Sequence, residues 1–174
     1  MSETELTHKR LVKAAGRWLR NTIGCSVVME EFTAYCLSNE IPDAIGWHQK
    51  MCILVEVKMS RADFRADRKK PARRPDAIHA LGSWRFYVTP PGLIRPDEIP
   101  EGWGLYELHR SRAGTYQMRH AGGSKWANAA PAPFLSCKHS EVGLLLSALR
   151  RLEISTAVFI RHEDGNANQG EQDD

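Results

Sequence analysis

The run Met51-Cys-Ile-Leu-Val-Glu-Val-Lys58 constrains this chain more than any other feature. Its apolar, β-branched residues favour an extended segment inside a sheet, and it ends on two charges. Side chains alternate faces along a strand. Cys52, Leu54, Glu56 and Lys58 therefore share one face, and Ile53, Val55 and Val57 share the other. Glu56 and Lys58 project side by side at the end of a buried strand.

The neighbouring segment Ile41-Pro-Asp-Ala-Ile-Gly-Trp47 is also extended in character. If the two segments form a hairpin with an even-length turn at residues 48–51, Asp43 lies directly opposite Glu56. An odd-length turn would turn Asp43 to the wrong face. Two opposed carboxylates repel each other across strands. Lys58 offsets part of that charge. A hard divalent cation offsets it better, because Mg²⁺ takes carboxylate, backbone carbonyl and water oxygens. The Val57 carbonyl, between Glu56 and Lys58, is a natural further ligand. Such a centre suits phosphodiester hydrolysis: the metal acidifies a bound water, and the lysine orients that water and offsets charge on the phosphate.

The remaining pattern is a mixed one. A helix is expected over about residues 3–22, opened by Ser2-x-x-Glu5 and closed by Gly24. Cys25–Phe32 reads as β. A second helix starts at Ser60, capped through Ser60-x-x-Asp63, and ends before Pro71. Ala77–Leu81 is expected as a short helix, Trp84–Thr89 as a strand, and Trp103–His109 with Thr115–Met118 as a hairpin around Ala113-Gly114. Residues 120–133 read as loop. A closing amphipathic helix carries Val142, Leu145, Leu146, Leu149 and Leu152. The order α-β-β-β-α-β, then hairpin and helix, implies a mixed β-sheet flanked by helices, in the α/β or α+β class. One domain over residues 1–161 and an acidic, disordered tail over 162–174 are expected.

The segment Ile41-Pro42-Asp43, followed by Leu54-Val55-Glu56-Val57-Lys58, resembles the PD-(D/E)XK motif of restriction-endonuclease-like nucleases. The element order is similar to that superfamily's core. Ser60-Arg-Ala-Asp-Phe64 and Arg85-Phe-Tyr-Val-Thr-Pro90 resemble small bacterial and phage members, including the MmcB-like DNA-repair group. The resemblance implies a metal-dependent deoxyribonuclease, with Mg²⁺ or Mn²⁺ at Asp43 and Glu56 and Lys58 as the catalytic lysine. Many members add an acid from the first helix. Here that helix offers only Glu3 and Glu5, so Glu30 or Glu31 would have to substitute. Glu31 is the preferred choice, since the two point to opposite faces. A member that lacks an acid can also be a catalytically inactive, DNA-binding accessory protein.

Charge distribution agrees with a polyanionic partner. The net charge is +3, yet five of the 21 acids lie in residues 163–174, so residues 1–162 carry 24 bases against 16 acids. Arg61, Arg65 and Arg68 recur at helical spacing, and Lys69, Lys70, Arg73 and Arg74 follow in a Pro-broken loop. This stripe is the candidate nucleic-acid surface, for DNA before RNA. Its bland reading is a solvated helix face in which Asp63 and Asp67 pair with Arg65 or Arg68. A weaker option is a protein-interaction domain whose basic stripe meets an acidic partner. Trp126, in a Gly/Ala-rich loop, is the best candidate for stacking on a base, while Trp18, Trp47 and Trp84 read as core.

Several classes drop out. No C-x-x-C pair, HExxH spacing, P-loop or Gly-x-Ser-x-Gly motif occurs. No apolar run is long enough to span a membrane, and the first residues lack the apolar core of a signal peptide. A cytoplasmic protein with reduced cysteines is expected, and a homodimer would let such a nuclease cut two strands.

Overall fold

Burial on both faces dictates the centre of the fold. The computed structural model describes residues 6–34, 40–74, 77–128 and 130–152. Strand β3 (Met51–Val57) is buried from Cys52 onward, and β4 (Trp84–Thr89) is buried along its whole length. Such strands need a layer on each side. The sheet has six strands in the order β1 (Val27–Glu30), β2 (Ala44–His48), β3, β4, β5 (Gly104–Arg110), β6 (Tyr116–Gly123). β3, β4 and β5 run parallel to one another, and the remaining neighbours are antiparallel. This is an α+β fold with a mixed sheet.

Helix α1 (His8–Trp18) covers one face. Leu11, Val12, Ala15 and Trp18 pack against Ile53, Val55, Val57, Phe86 and Val88. Thr7 caps α1 by accepting the Arg10 amide. The expected Ser2 cap lies outside the described residues. The helix continues as a π-helical turn (Leu19–Ile23), which ends at Gly24 in the left-handed conformation, φ 80°. Helices α2 (Arg61–Asp67) and α3 (Lys138–Leu152) lie on the other face, where Phe64 and Leu144 join Ile45, Leu54, Tyr87 and Leu105. Fully burying a Leu or Phe of this kind contributes roughly 1.5–3 kcal/mol. The parallel step from β3 to β4 needs a crossover, and α2 supplies it.

Three expectations need correction. Ala77–Leu81 is a turn, not a helix; Ala80 N–H reaches only the Ala77 carbonyl. Strand β6 runs on to Gly123, through residues expected to be loop. Gly104 opposes Gly123 and Leu105 opposes Gly122, so small residues allow close pairing there and do not end the strand. In α3 the buried apolar positions are Leu144 and its partly buried neighbours Leu145 and Ala148, whereas Val142, Leu146 and Leu149 are exposed. The apolar stripe is wider than the surface it meets. Among the described residues no helix is long and apolar enough to cross a membrane. The acidic tail lies outside the described residues.

Candidate functional site

The β2–β3 hairpin turns over two residues, Gln49 and Lys50, between the paired His48 and Met51. The turn is even, as the site required. Ala44 pairs with Val55, and one step further Asp43 stands opposite Glu56. Asp43 Oδ2 accepts the Val57 amide at 2.7 Å, so Val57 enters the site through its N–H. Lys58 Nζ donates to Glu56 Oε2 at 3.0 Å. The three motif residues therefore share one pole of the sheet.

Their surroundings differ from the sequence reading. Glu56 and Lys58 are both 3% exposed. They belong to an ionic cluster that is buried except at Lys70. Arg73 is turned inward, its side chain 4% exposed, with Nη2 at 2.8 Å from Glu56 Oε1 and Nε at 2.9 Å from Asp67 Oδ2. Its third partner is Glu40. Lys58 and Lys70 reach Asp67 Oδ1 at 3.4 and 2.8 Å, and the Tyr87 hydroxyl donates to Asp67 Oδ2 at 3.0 Å. Glu40 also accepts the Leu81 amide at 2.7 Å. Three carboxylates (Glu40, Glu56, Asp67) thus meet three cations (Arg73, Lys58, Lys70).

Helix α2 explains the cluster. Ser60 caps it by accepting the Asp63 amide at 3.1 Å, and Phe64 and Asp67, three residues apart, take its inner face. The 3-10 turn Pro71–Arg73 then folds Arg73 back under the sheet. Burial pushes the Glu56 carboxyl up, while Arg73 and Lys58 pull it down. Lys58 and Arg73 stand 3.0 and 2.8 Å from its two oxygens, and burial outweighs them, so the carboxyl lies above its ordinary value. Burial opposes the Asp67 charge too, but hydrogen bonds from Arg73 and Lys70 hold that carboxyl well below the usual range. Burial works to lower Lys58, yet Glu56 and Asp67 carry it above its ordinary value.

Two residues near Asp43 complete the pole. His8 Nε2, on the first turn of α1, lies 3.2 Å from Asp43 Oδ1. Glu31 is 55% exposed, with Oε1 3.7 Å from His8 Nδ1, and its φ of 49° marks a break at the end of β1. Glu31 is thus on the Asp43 side of the pole. Glu30 instead serves α1, paired with Lys13 and Arg20. His8 stands where a helix-1 acid was sought; its place in the first turn of an amphipathic helix was the available signal.

The predicted basic stripe splits. Arg65, Arg68, Lys69 and Arg74 are exposed, and Lys70 is half-exposed over Asp67. Arg61 forms a two-pronged pair with Glu98, at 2.5 and 3.0 Å. Arg73 must be withdrawn from the nucleic-acid surface, because its guanidinium is consumed inside. Asp67 does not pair with Arg65 or Arg68, because it faces the core.

The PD-(D/E)XK resemblance implies a divalent cation at Asp43 and Glu56. Glu56 Oε1 and Oε2 already face Arg73 and Lys58, and Asp43 Oδ1 and Oδ2 face His8 and the Val57 amide. As placed, this donor set does not fit a metal. Among the described residues no group of three or more His, Cys, Asp or Glu is arranged to hold one.

No protein-family model matches the chain, and no curated protein matches it. Among solved structures it is similar to a protein of unknown function from Silicibacter pomeroyi, at 24% identity and a TM-score of 0.52, over 89% of this chain and 98% of that one. At that identity the likeness speaks for the fold alone.

Proposed function

We propose that this chain works on nucleic acid, DNA before RNA, through a restriction-endonuclease-like scaffold in a cytoplasmic setting. The observation that carries the reading is the β2–β3 register, with Asp43 opposite Glu56 and Lys58 hydrogen-bonded beside it. The exposed cations Arg65, Arg68, Lys69 and Arg74 support a phosphate-facing surface around α2. The scaffold admits two forms of this function. The geometry at Glu56 favours the first, a protein that holds DNA without cutting it, because both carboxylate oxygens are neutralised internally by Arg73 and Lys58.

The second form is a Mg²⁺- or Mn²⁺-dependent deoxyribonuclease, which the Asp43–Glu56–Lys58 constellation favours. It requires Arg73 to leave Glu56. Incubating labelled single-stranded and duplex DNA with Mg²⁺, Mn²⁺ or EDTA separates the two, using wild type, Asp43→Ala and Lys58→Ala with folding checked by circular dichroism. Salt-dependent binding indifferent to metal, with no cleavage, is the expected result. Metal-dependent cleavage lost in both variants would establish the nuclease instead. Failure to bind DNA at low salt would sink both forms.

A further inference from the structure

The face of the sheet opposite Glu56 carries a groove of about 630 Å³ between the end of α1, the π-helical turn and strands β5 and β6. A cleft of that size is in the range of small-molecule sites. Its floor is aromatic. Trp18 and Tyr106 are 7% and 6% exposed, with rings 4.5 Å apart at 50°. Trp126 lines the groove half-buried, braced edge-on by Trp84 at 5.3 Å and by His48 at 5.6 Å. A braced, partly open indole is a rigid stacking surface.

The polar lining is one-sided in charge. Arg17 and Lys125 line the groove and are exposed. Asn21, from the π-helical turn, and Gln117, from β6, add exposed amide groups. No carboxylate of the described residues lines it. π-helical turns are rare and concentrate at functional sites, and this one forms part of the lining.

A partly open indole, amides and cations with no carboxylate of the described residues beside them match the chemistry of a nucleotide: a planar base with hydrogen-bonding edges, joined to a phosphate. We propose that this groove seats one unpaired nucleotide of a single-stranded nucleic acid, its base against Trp126 and its phosphate toward Arg17 and Lys125. Duplex bases are already stacked on each other, so the groove selects strands with a free base. The inference rests on the nucleic-acid reading above and adds to it a site that prefers single-stranded or locally opened DNA.

The test uses the full chain with a short fluorescein-labelled oligodeoxythymidylate and a duplex of equal length. Arg17→Ala with Lys125→Ala removes two exposed side chains and spares the core. Trp126→Leu removes the stacking face but keeps an apolar filler, and Trp126→Phe restores a ring. Single-strand affinity should fall roughly tenfold or more in the first two variants and largely recover with Phe, while duplex affinity stays unchanged. Thymidine monophosphate should quench tryptophan fluorescence saturably in wild type and not in the Arg17/Lys125 variant. Single-strand binding that ignores the groove variants, yet falls with substitution of Arg65, Arg68 and Lys69, would overturn the inference and leave the functional reading standing. No binding of either DNA by wild type would overturn both, and preferential capture of an acidic peptide would assign the groove to a protein partner instead.

Discussion

Arg73 Nη2 and Glu56 Oε1 stand 2.8 Å apart, with side chains only 4% and 3% exposed. A buried pair costs desolvation on both sides, so it adds little net stability by existing. Breaking it is different, because Glu40, Glu56 and Asp67 would all be deprived of their shared cation. Arg73→Ala should cost about 3–5 kcal/mol in urea unfolding. Adding Glu56→Gln in that background should recover part of the loss, a coupling of about 1–3 kcal/mol. A single variant as stable as wild type would show that the ring of charges does not form.

The same cluster sets the acid sensitivity. Arg73 and Lys70 hold the Asp67 carboxyl below its unfolded value, so its contribution is present above the usual carboxylate range and is lost as pH falls below about 4. Glu56 has the opposite sign: burial raises it, so the folded state gains as that carboxyl takes up a proton. Within this cluster Asp67 should therefore set the acid limb. Asp67→Asn should lower stability at neutral pH and flatten the fall between neutral and acid pH in chemical denaturation. An acid limb of unchanged steepness would count against this assignment.

The outline of this cluster is partly legible in the sequence. Strand alternation and one even turn are enough to set Asp43 opposite Glu56, because a pleated strand has a strict period of two. What stays hidden is the way in for Arg73. It comes from a Pro-led 3-10 turn, and no periodicity tells which side chain of Lys-Lys-Pro-Ala-Arg-Arg folds inward. Asp67 is nearer to hand. It lies three residues after Phe64 on a helix, so the buried Phe places it on the same inner face. The α3 stripe misleads for a converse reason: apolar spacing marks a face able to be buried, not one that meets a partner, and Leu146 and Leu149 remain exposed.

If α2 faces phosphate, its exposed cations should behave as independent counterion-release sites. Arg65, Arg68 and Lys69 replaced together by Ala should weaken duplex binding at all sequences alike. The slope of log affinity against log salt should shrink by roughly 0.9 for each phosphate that is no longer neutralised. Fluorescence anisotropy across a KCl series reads this directly. Arg61 is tied to Glu98 at 2.5 and 3.0 Å, so Arg61→Ala should change the slope far less. Equal effects from Arg61 and from the exposed three would move the phosphate track away from the outer face of α2.

Cys137 precedes α3 and lies 4.0 Å from His79 Nδ1, with Ser140 on the first turn of that helix beside it. Hydrogen bonds from Ser140 and His79 draw its thiol down to about 7, whereas burial pushes Cys25 up to about 12 and also raises Cys52 well above its ordinary value. The thiolate is the reactive species, so iodoacetamide should modify Cys137 in the native protein well before Cys25 or Cys52, as read by peptide mapping. The alkylation rate at Cys137 should rise through a midpoint near 7. His79→Ala and Ser140→Ala remove the groups that stabilise the thiolate, and each should move that midpoint up toward the ordinary thiol value of about 8.5. A midpoint that starts at the ordinary value and ignores both substitutions would mean that His79 and Ser140 do not act on the sulfur.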